Sequence, residues 1–148
     1  MIVERMAERH ISAIAAIERE CFHDPWSENG LREELGPENN LFLAAVEEDV
    51  VVGYVGCQTV LDEGYITNVA VSSSHRRKGV AAKLLAELRN CAIQKDLSFI
   101  TLEVRISNVP AIALYEGAGY RPVGTRRNFY SNPKEDALLM TCFLKETE

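Results

Sequence analysis

The sequence predicts a mixed α/β domain in which helices cover a largely antiparallel sheet. Three observations predict it. β-rich runs alternate with segments of helical periodicity along the whole chain. Apolar content of 47% and charged content of 26% are those of an ordinary soluble globule. The stretch His75 to Ala82, the strongest basic cluster in an acidic chain, follows the apolar run Ile66 to Val71 and opens an amphipathic segment, a strand–turn–helix layout. The 148 residues read as one domain, 1–148, a size that buries about 68–70% of the unfolded surface.

Taken in order, Met1 to Arg5 reads as a short strand. Ala7 to Cys21 carries Ile11, Ile14, Ala15, Ile17 and Cys21 at helical spacing. Pro25 ends that pattern, and Ser27 is placed to cap a second helix with Leu31 and Leu35 inside, closed by Gly36-Pro37. Leu41 to Val46 and Val50 to Val60 form a hairpin around Glu47-Glu48-Asp49. Asp62-Glu63-Gly64 is a turn, and Tyr65 to Val71 a further strand. The next helix runs to about Lys95, with Val80, Leu84, Leu88 and Cys91 on one face. Phe99 to Val104 is a strand. Asn108 to Ala118 is a helix, with Pro110 in its first turn and glycines at its end. Tyr120 to Arg127 and Ala137 to Leu144 are the final strands, with Asn128 to Asp136 a polar loop. The order is therefore β-α-α-β-β-β-α-β-α-β-β.

Composition excludes several classes. A net charge of −6 argues against nucleic-acid binding and against an anionic membrane surface, and is compatible with a basic peptide partner. Cys21, Cys57, Cys91 and Cys142 form no Cys-x-x-Cys pair, so each is expected as a buried thiol and no metal site is expected. His23 has no partner at metal or triad spacing and reads as a loop residue. Glu4 and Glu8 stand where a signal peptide needs an apolar core, and no apolar run approaches about 18–20 residues. A cytoplasmic monomer is expected.

Glycine and cations at a helix start are the layout of a phosphate site, because first-turn N–H groups are unpaired and the helix dipole favours an anion. A dinucleotide fold wants Gly-x-Gly-x-x-Gly, and a P-loop wants Gly-x-x-x-x-Gly-Lys-Ser/Thr. Neither is present. Arg76-Arg77-Lys78-Gly79-Val80-Ala81 instead fits Gln/Arg-x-x-Gly-x-Gly/Ala. The competing reading is a helix that merely starts with solvated cations, but three cations there oppose the dipole.

This pattern resembles the acetyl-coenzyme A motif of the GNAT superfamily of N-acetyltransferases, and the element order resembles that fold across the chain. The resemblance implies that the backbone of Val69, Ala70 and Val71 pairs with the pantetheine arm of acetyl-CoA. It implies one N–H there as oxyanion donor, and a local bulge at Asn68 and Val69. It implies cofactor contacts from Arg76, Arg77, Lys78, Gly79, Val80, Ala81, Ala82 and Asn108.

Acetyl transfer to an amine needs a neutral nucleophile, a polarised carbonyl and a proton for the departing thiolate. On the strand Phe99 to Arg105, alternation places Thr101, Glu103 and Arg105 on one face. Glu103 is a carboxylate in an otherwise apolar run, where desolvation makes it a better general base. The alternative is a salt bridge to Arg105. Asn108, Ala111 and Tyr115 lie at i, i+3 and i+7, on one helical face about 10 Å long. Tyr115 is placed to protonate a thiolate, or simply to pack in the core.

Leu102-Glu103-Val104-Arg105, Ser107-Asn108, Ala111 to Glu116, Gly119-Tyr120, Pro25-Trp26-Ser27 and Arg126 to Tyr130 with Glu135-Asp136-Ala137 resemble the bacterial ribosomal-protein alanine N-acetyltransferases. Ala81, where relatives often have glycine, and Ser73, where proline is common, depart from the pattern. The resemblance implies Glu103 as proton acceptor and Tyr115 as proton donor. The implied acceptor is the N-terminal alanine of small-subunit ribosomal protein eighteen. The chemistry is compatible: neutralising an α-amine at pH 7 costs roughly 1 kcal/mol, and a lysine roughly 4.6. Peptide contacts are expected from Phe22 to Ser27 and Asn128 to Asp136, with Trp26, Phe129 and Tyr130 shaping a pocket or only packing the loops. The competing functions are acetylation of another amine (lysine, polyamine or antibiotic) and a non-catalytic acyl-CoA sensor.

Overall fold

The structure is a computed structural model that describes residues 1–145. Its elements are β1 (Ile2–Arg5), α1 (Glu8–Cys21), α2 (Glu28–Glu33), β2 (Leu41–Glu47), β3 (Val50–Val60), β4 (Glu63–Val71), α3 (Val80–Gln94), β5 (Phe99–Arg105), α4 (Val109–Gly117), β6 (Arg121–Tyr130) and β7 (Glu135–Phe143). A short 3₁₀ turn, Ser73–His75, links β4 to α3. The helices start where capping chemistry allows. The His10 ring accepts the Ala7 N–H at 2.9 Å at the start of α1. The Ser27 hydroxyl accepts the Gly30 N–H at 3.0 Å at the start of α2. Gly79, at φ 78°, takes the left-handed turn into α3.

One seven-stranded sheet runs in the spatial order β1-β2-β3-β4-β5-β7-β6, and every pairing is antiparallel except β4 with β5. Strand alternation gives the sheet two apolar faces. Leu41, Leu43, Val55, Ile100, Leu102 and Val104 pack with Leu84 and Leu88 of α3. Phe42, Ala44, Tyr54 and Ala70 pack with Ile11 and Ile14 of α1 and Leu31 of α2. Cys57 and Cys142 are buried; Cys21 and Cys91 are only half-buried, since each lies at the rim of its helix's apolar stripe.

Two features of the sheet position the site. First, β4 and β5 pair only at Glu63↔Phe99, Gly64↔Ile100 and Tyr65↔Thr101, then separate. Second, β4 carries a bulge against β3: Gly56 faces Asn68, but Cys57 faces Ile66, so Thr67 is the extra residue. The bulge thus falls one residue before the expected Asn68–Val69. Gly56 accounts for its position. A Cβ at Gly56 would stand 2.8 Å from the Thr67 hydroxyl and 2.7 Å from the Phe42 ring, so only glycine leaves room for the bulged residue.

The segment 128–136 is not a loop throughout. β6 continues to Tyr130 and β7 begins at Glu135, leaving a turn at 131–134. β6 is an edge strand whose residues are exposed from Arg121 to Phe129. Nothing forces an apolar alternation there, so its polar end, Asn128 to Tyr130, reads as loop even though Tyr120 to Arg127 reads as strand.

Candidate active site

The fork between β4 and β5 is where the expected residues meet. On β4, the Ser72 N–H donates to the Val52 carbonyl at 2.8 Å, which makes Val71↔Gly53 a non-hydrogen-bonded pair. Ala70 therefore directs its peptide groups to Tyr54 of β3, whereas Val69 and Val71 turn theirs toward the opening where β5 has left. Of the three expected contact residues, Val69 and Val71 offer backbone groups to a ligand in the fork, and Ala70 does not.

The basic turn lies just beyond. Arg77 (φ 64°) and Gly79 (φ 78°) both take left-handed backbone, curling the chain before α3. Lys83 is the first residue of α3 whose N–H reaches back to a carbonyl, that of Gly79 at 3.0 Å. The N–H groups of Val80, Ala81 and Ala82 thus sit in the unpaired first turn. Arg76, Arg77, Lys78 and Gly79 are exposed beside them. The free N–H groups, the dipole and the cations together form a cradle suited to a pyrophosphate. Arg76 also reaches back to the Cys21 sulfur at 3.3 Å. The Ser73 N–H donates to the Glu20 carboxylate, a tie that proline at this position could not make.

Across the fork, Glu103 projects from β5 on the face opposite Leu102 and Val104, as alternation requires, with its side chain 6% exposed. Its Oε2 accepts the Tyr65 hydroxyl at 2.6 Å. Its Oε1 lies 3.6 Å from Nε of Arg126 on β6, a residue whose own side chain is 58% exposed. Arg105 is not its partner. That guanidinium pairs with Glu135 at 3.2 Å, donates to the carbonyls of Ser131 and Pro133, and stacks 4.5 Å over the Tyr130 ring. Arg105 therefore fastens the β6–β7 turn beside Glu103.

Tyr115 packs edge-on against Tyr120, ring centroids 5.9 Å apart. Burial first, and Tyr130 second, push its phenol up to about 12, so it holds its proton throughout the neutral range. Tyr65 is pushed up by burial and then by its bond to Glu103. Tyr130 is pushed up by burial and then by Glu103. Glu103, Tyr65, Tyr130 and Tyr115 thus form one electrostatically linked group. Asn108 stands just before the helix that carries Tyr115. It is the N-cap of α4, its Oδ1 accepting the Ala111 N–H at 3.2 Å, which leaves its amide nitrogen for a ligand.

Of the expected peptide contacts, Trp26 stacks on Phe42 at 6.0 Å. Phe129 is exposed and stands edge-on to Tyr130 at 5.0 Å. Three residues went unseen in the sequence: Tyr65, Arg126 and Glu18. The first two depend on strand neighbours far apart in sequence. Glu18 stands four residues after Ile14 on the buried stripe of α1, a spacing that marks it as an inward carboxylate.

The Acetyltransferase (GNAT) family model matches residues 11–120. The ribosomal protein bS18-alanine N-acetyltransferase of Haemophilus ducreyi is 33% identical over 146 residues, spanning 97% of this chain and 100% of that protein. The crystal structure of the ribosomal-protein alanine N-acetyltransferase from Escherichia coli superposes with a TM-score of 0.89 at 29% identity, covering 99% of this chain and 96% of that one. An aminoglycoside 6'-N-acetyltransferase complexed with coenzyme A shares the fold at a TM-score of 0.83 and 17% identity, over 100% of this chain and 99% of that one. With its forked sheet, its basic turn and this match over most of its length, the chain belongs to the GNAT family of acetyl-CoA-dependent N-acetyltransferases.

Proposed function

We propose that the protein transfers the acetyl group of acetyl-CoA to a protein N-terminal amine, the N-terminal alanine of ribosomal protein bS18 being the leading acceptor. The observation that carries this reading is the fork itself: outward-facing Val69 and Val71 peptide groups on one arm, buried Glu103 on the other. Relatives named for that acceptor align over nearly the whole chain.

The basic turn and the Asn108 amide hold the cosubstrate, and an N–H of β4 polarises the thioester carbonyl. The incoming α-ammonium meets a carboxylate anchored on one oxygen by Tyr65, its other oxygen held, among the described residues, by exposed Arg126 alone. Displacing that contact is inexpensive, because it is 3.6 Å long and its arginine is more than half exposed to water. Glu103 takes a proton from nitrogen, the freed lone pair attacks the carbonyl, and the C–S bond breaks. Tyr115 donates its proton to the departing sulfur, and the second proton that nitrogen sheds on becoming an amide restores the phenol. A phenol pushed up to about 12 is a reluctant acid, but a thiolate leaving as the C–S bond breaks is a base that draws the proton as its charge develops. Trp26, Phe129 and Tyr130 would line the acceptor's path.

The test is incubation with acetyl-CoA and peptides beginning Ala, Ser or Met, alongside an N-terminally blocked lysine peptide, with products read by mass spectrometry. Acetylation of the alanine α-amine is expected. Modification of lysine alone would overturn the acceptor assignment.

A further inference from the structure

Glu18 is a carboxylate that the reaction above does not use. It is fully buried, and among the described residues no cation pairs with it. Burying a carboxylate without a cation costs several kcal/mol unless hydrogen bonds compensate. Three donors from three elements do so: the Tyr54 hydroxyl at 2.7 Å, the Asn68 amide at 2.7 Å and the Trp26 N–H at 2.9 Å.

The Asn68 bond has a consequence. The amide nitrogen of Asn68 faces Glu18, because the Oε2 it meets is an acceptor that takes the Tyr54 hydroxyl as well. The amide cannot turn over, and its carbonyl oxygen is left with no protein donor among the described residues. Asn68 is half-buried and lies between the bulged Thr67 and the outward-facing Val69. The bulge puts its side chain on the α1 face of the sheet, together with the Trp26 loop. A hydrogen bond from nitrogen to a carboxylate also polarises the amide and makes its oxygen a better acceptor.

Resting on the function proposed above, we propose that Asn68 is an acceptor-recognition residue. Glu18 fixes its amide so that the side-chain oxygen accepts a hydrogen bond from the terminal ammonium of the peptide. That ammonium has three N–H groups and Glu103 takes one, so a second, uncharged acceptor at the fork orients the nitrogen lone pair toward the thioester. Glu18, which touches no substrate, is the positioning residue.

The experiment measures KM for an alanine-initiated peptide and for acetyl-CoA separately. Asn68→Ala is expected to raise the peptide KM roughly tenfold or more, as loss of a hydrogen bond to a charged group does, while the acetyl-CoA KM stays within about twofold. Asn68→Ser, which keeps a donor toward Glu18 but lacks the carbonyl, should behave the same way, and it carries the test if the alanine variant misfolds. Glu18→Gln frees the amide to turn over; combined with Asn68→Ala it should add little to the peptide KM. An unchanged peptide KM, or both constants rising together, would overturn the assignment and leave Asn68 a purely structural tie. If the wild-type protein acetylates some other amine and no N-terminal peptide, the proposed function fails, and the same variants read against that amine decide the role of Asn68.

Discussion

Glu103→Gln separates chemistry from folding most cleanly. Glutamine keeps the shape of the side chain, and its carbonyl can still accept the Tyr65 hydroxyl now 2.6 Å from Oε2. Two stabilising effects are lost. The pair with Arg126 is 3.6 Å long and its arginine is more than half exposed, so its loss costs about 0–1 kcal/mol. The Tyr65 hydrogen bond loses its charge assistance, about 1 kcal/mol from the difference between charged and neutral hydrogen bonds. The folding cost is therefore about 1–2 kcal/mol, against a total of about 5–15. At roughly 2–4 °C per kcal/mol for a chain of this size, Tm falls by about 2–8 °C.

The chemical cost is larger. Removing a general base costs about 10²–10⁴-fold in rate, or about 2.7–5.4 kcal/mol at 1.36 per decade. The assay is thiol release from acetyl-CoA with an alanine peptide at saturation, beside a thermal melt. The expected result is a folded variant with an unchanged acetyl-CoA KM and kcat down at least a hundredfold. A folded variant retaining kcat within about threefold of wild type, far short of the loss expected of a base, would refute the role of Glu103.

Tyr115→Phe should lower kcat about 10²-fold, as loss of a general acid does, while peptide and acetyl-CoA KM change little; steady-state kinetics with both substrates varied checks this. Gly79→Asp should raise the acetyl-CoA KM about tenfold without unfolding the chain: a Cβ there meets nothing within 4 Å, aspartate tolerates the left-handed turn, and its carboxylate competes with phosphate for the first-turn N–H groups. Stability should be level around neutral pH and fall as pH rises above about 8.5, first through the buried Cys57 thiol and then, above about 10, through the buried phenols. Burial raises Tyr54, Tyr120 and, to about 12, Tyr115 in the folded chain, so the unfolded chain loses these protons first as pH rises. Urea midpoints that stayed level from neutrality to pH about 11 would contradict that linkage.

Much of this was legible in the sequence because it depends on local periodicity. Strand alternation alone turned Glu103 away from Leu102 and Val104, and helical spacing found the buried stripe of α1. What the sequence left dark is set by neighbours distant in the chain. Arg105 is the obvious partner for Glu103, two residues away on the same face. Yet the order β5-β7-β6 brings Arg126 to Glu103 and hands Arg105 to Glu135. Tyr65 reaches Glu103 because its strand is in parallel register with Thr101 for three residues before the fork opens. The last residues of the exposed edge strand β6, Asn128 to Tyr130, hid in a polar stretch for the opposite reason: with neither face buried, they carry no pattern to read.

The bulge at Thr67 ties these parts together. Ile66 and Ala70 are four residues apart, and an unbroken strand would place them on one face. Instead Ile66 packs with α3 and Ala70 with α1. One inserted residue reverses every side chain and every peptide group downstream of it. Asn68 therefore comes to Glu18 rather than to α3, and Val69 and Val71 turn their N–H and carbonyl groups toward the fork. Regular pairing with β3 would reverse both at once, directing those peptide groups back into the sheet and the Asn68 amide into the opposite core. The basic turn can hold a phosphate whatever β4 does. It is the bulge, admitted by the bare backbone of Gly56, that converts an anion-binding turn beside a sheet into a site with a backbone donor and a carboxylate facing each other across a gap.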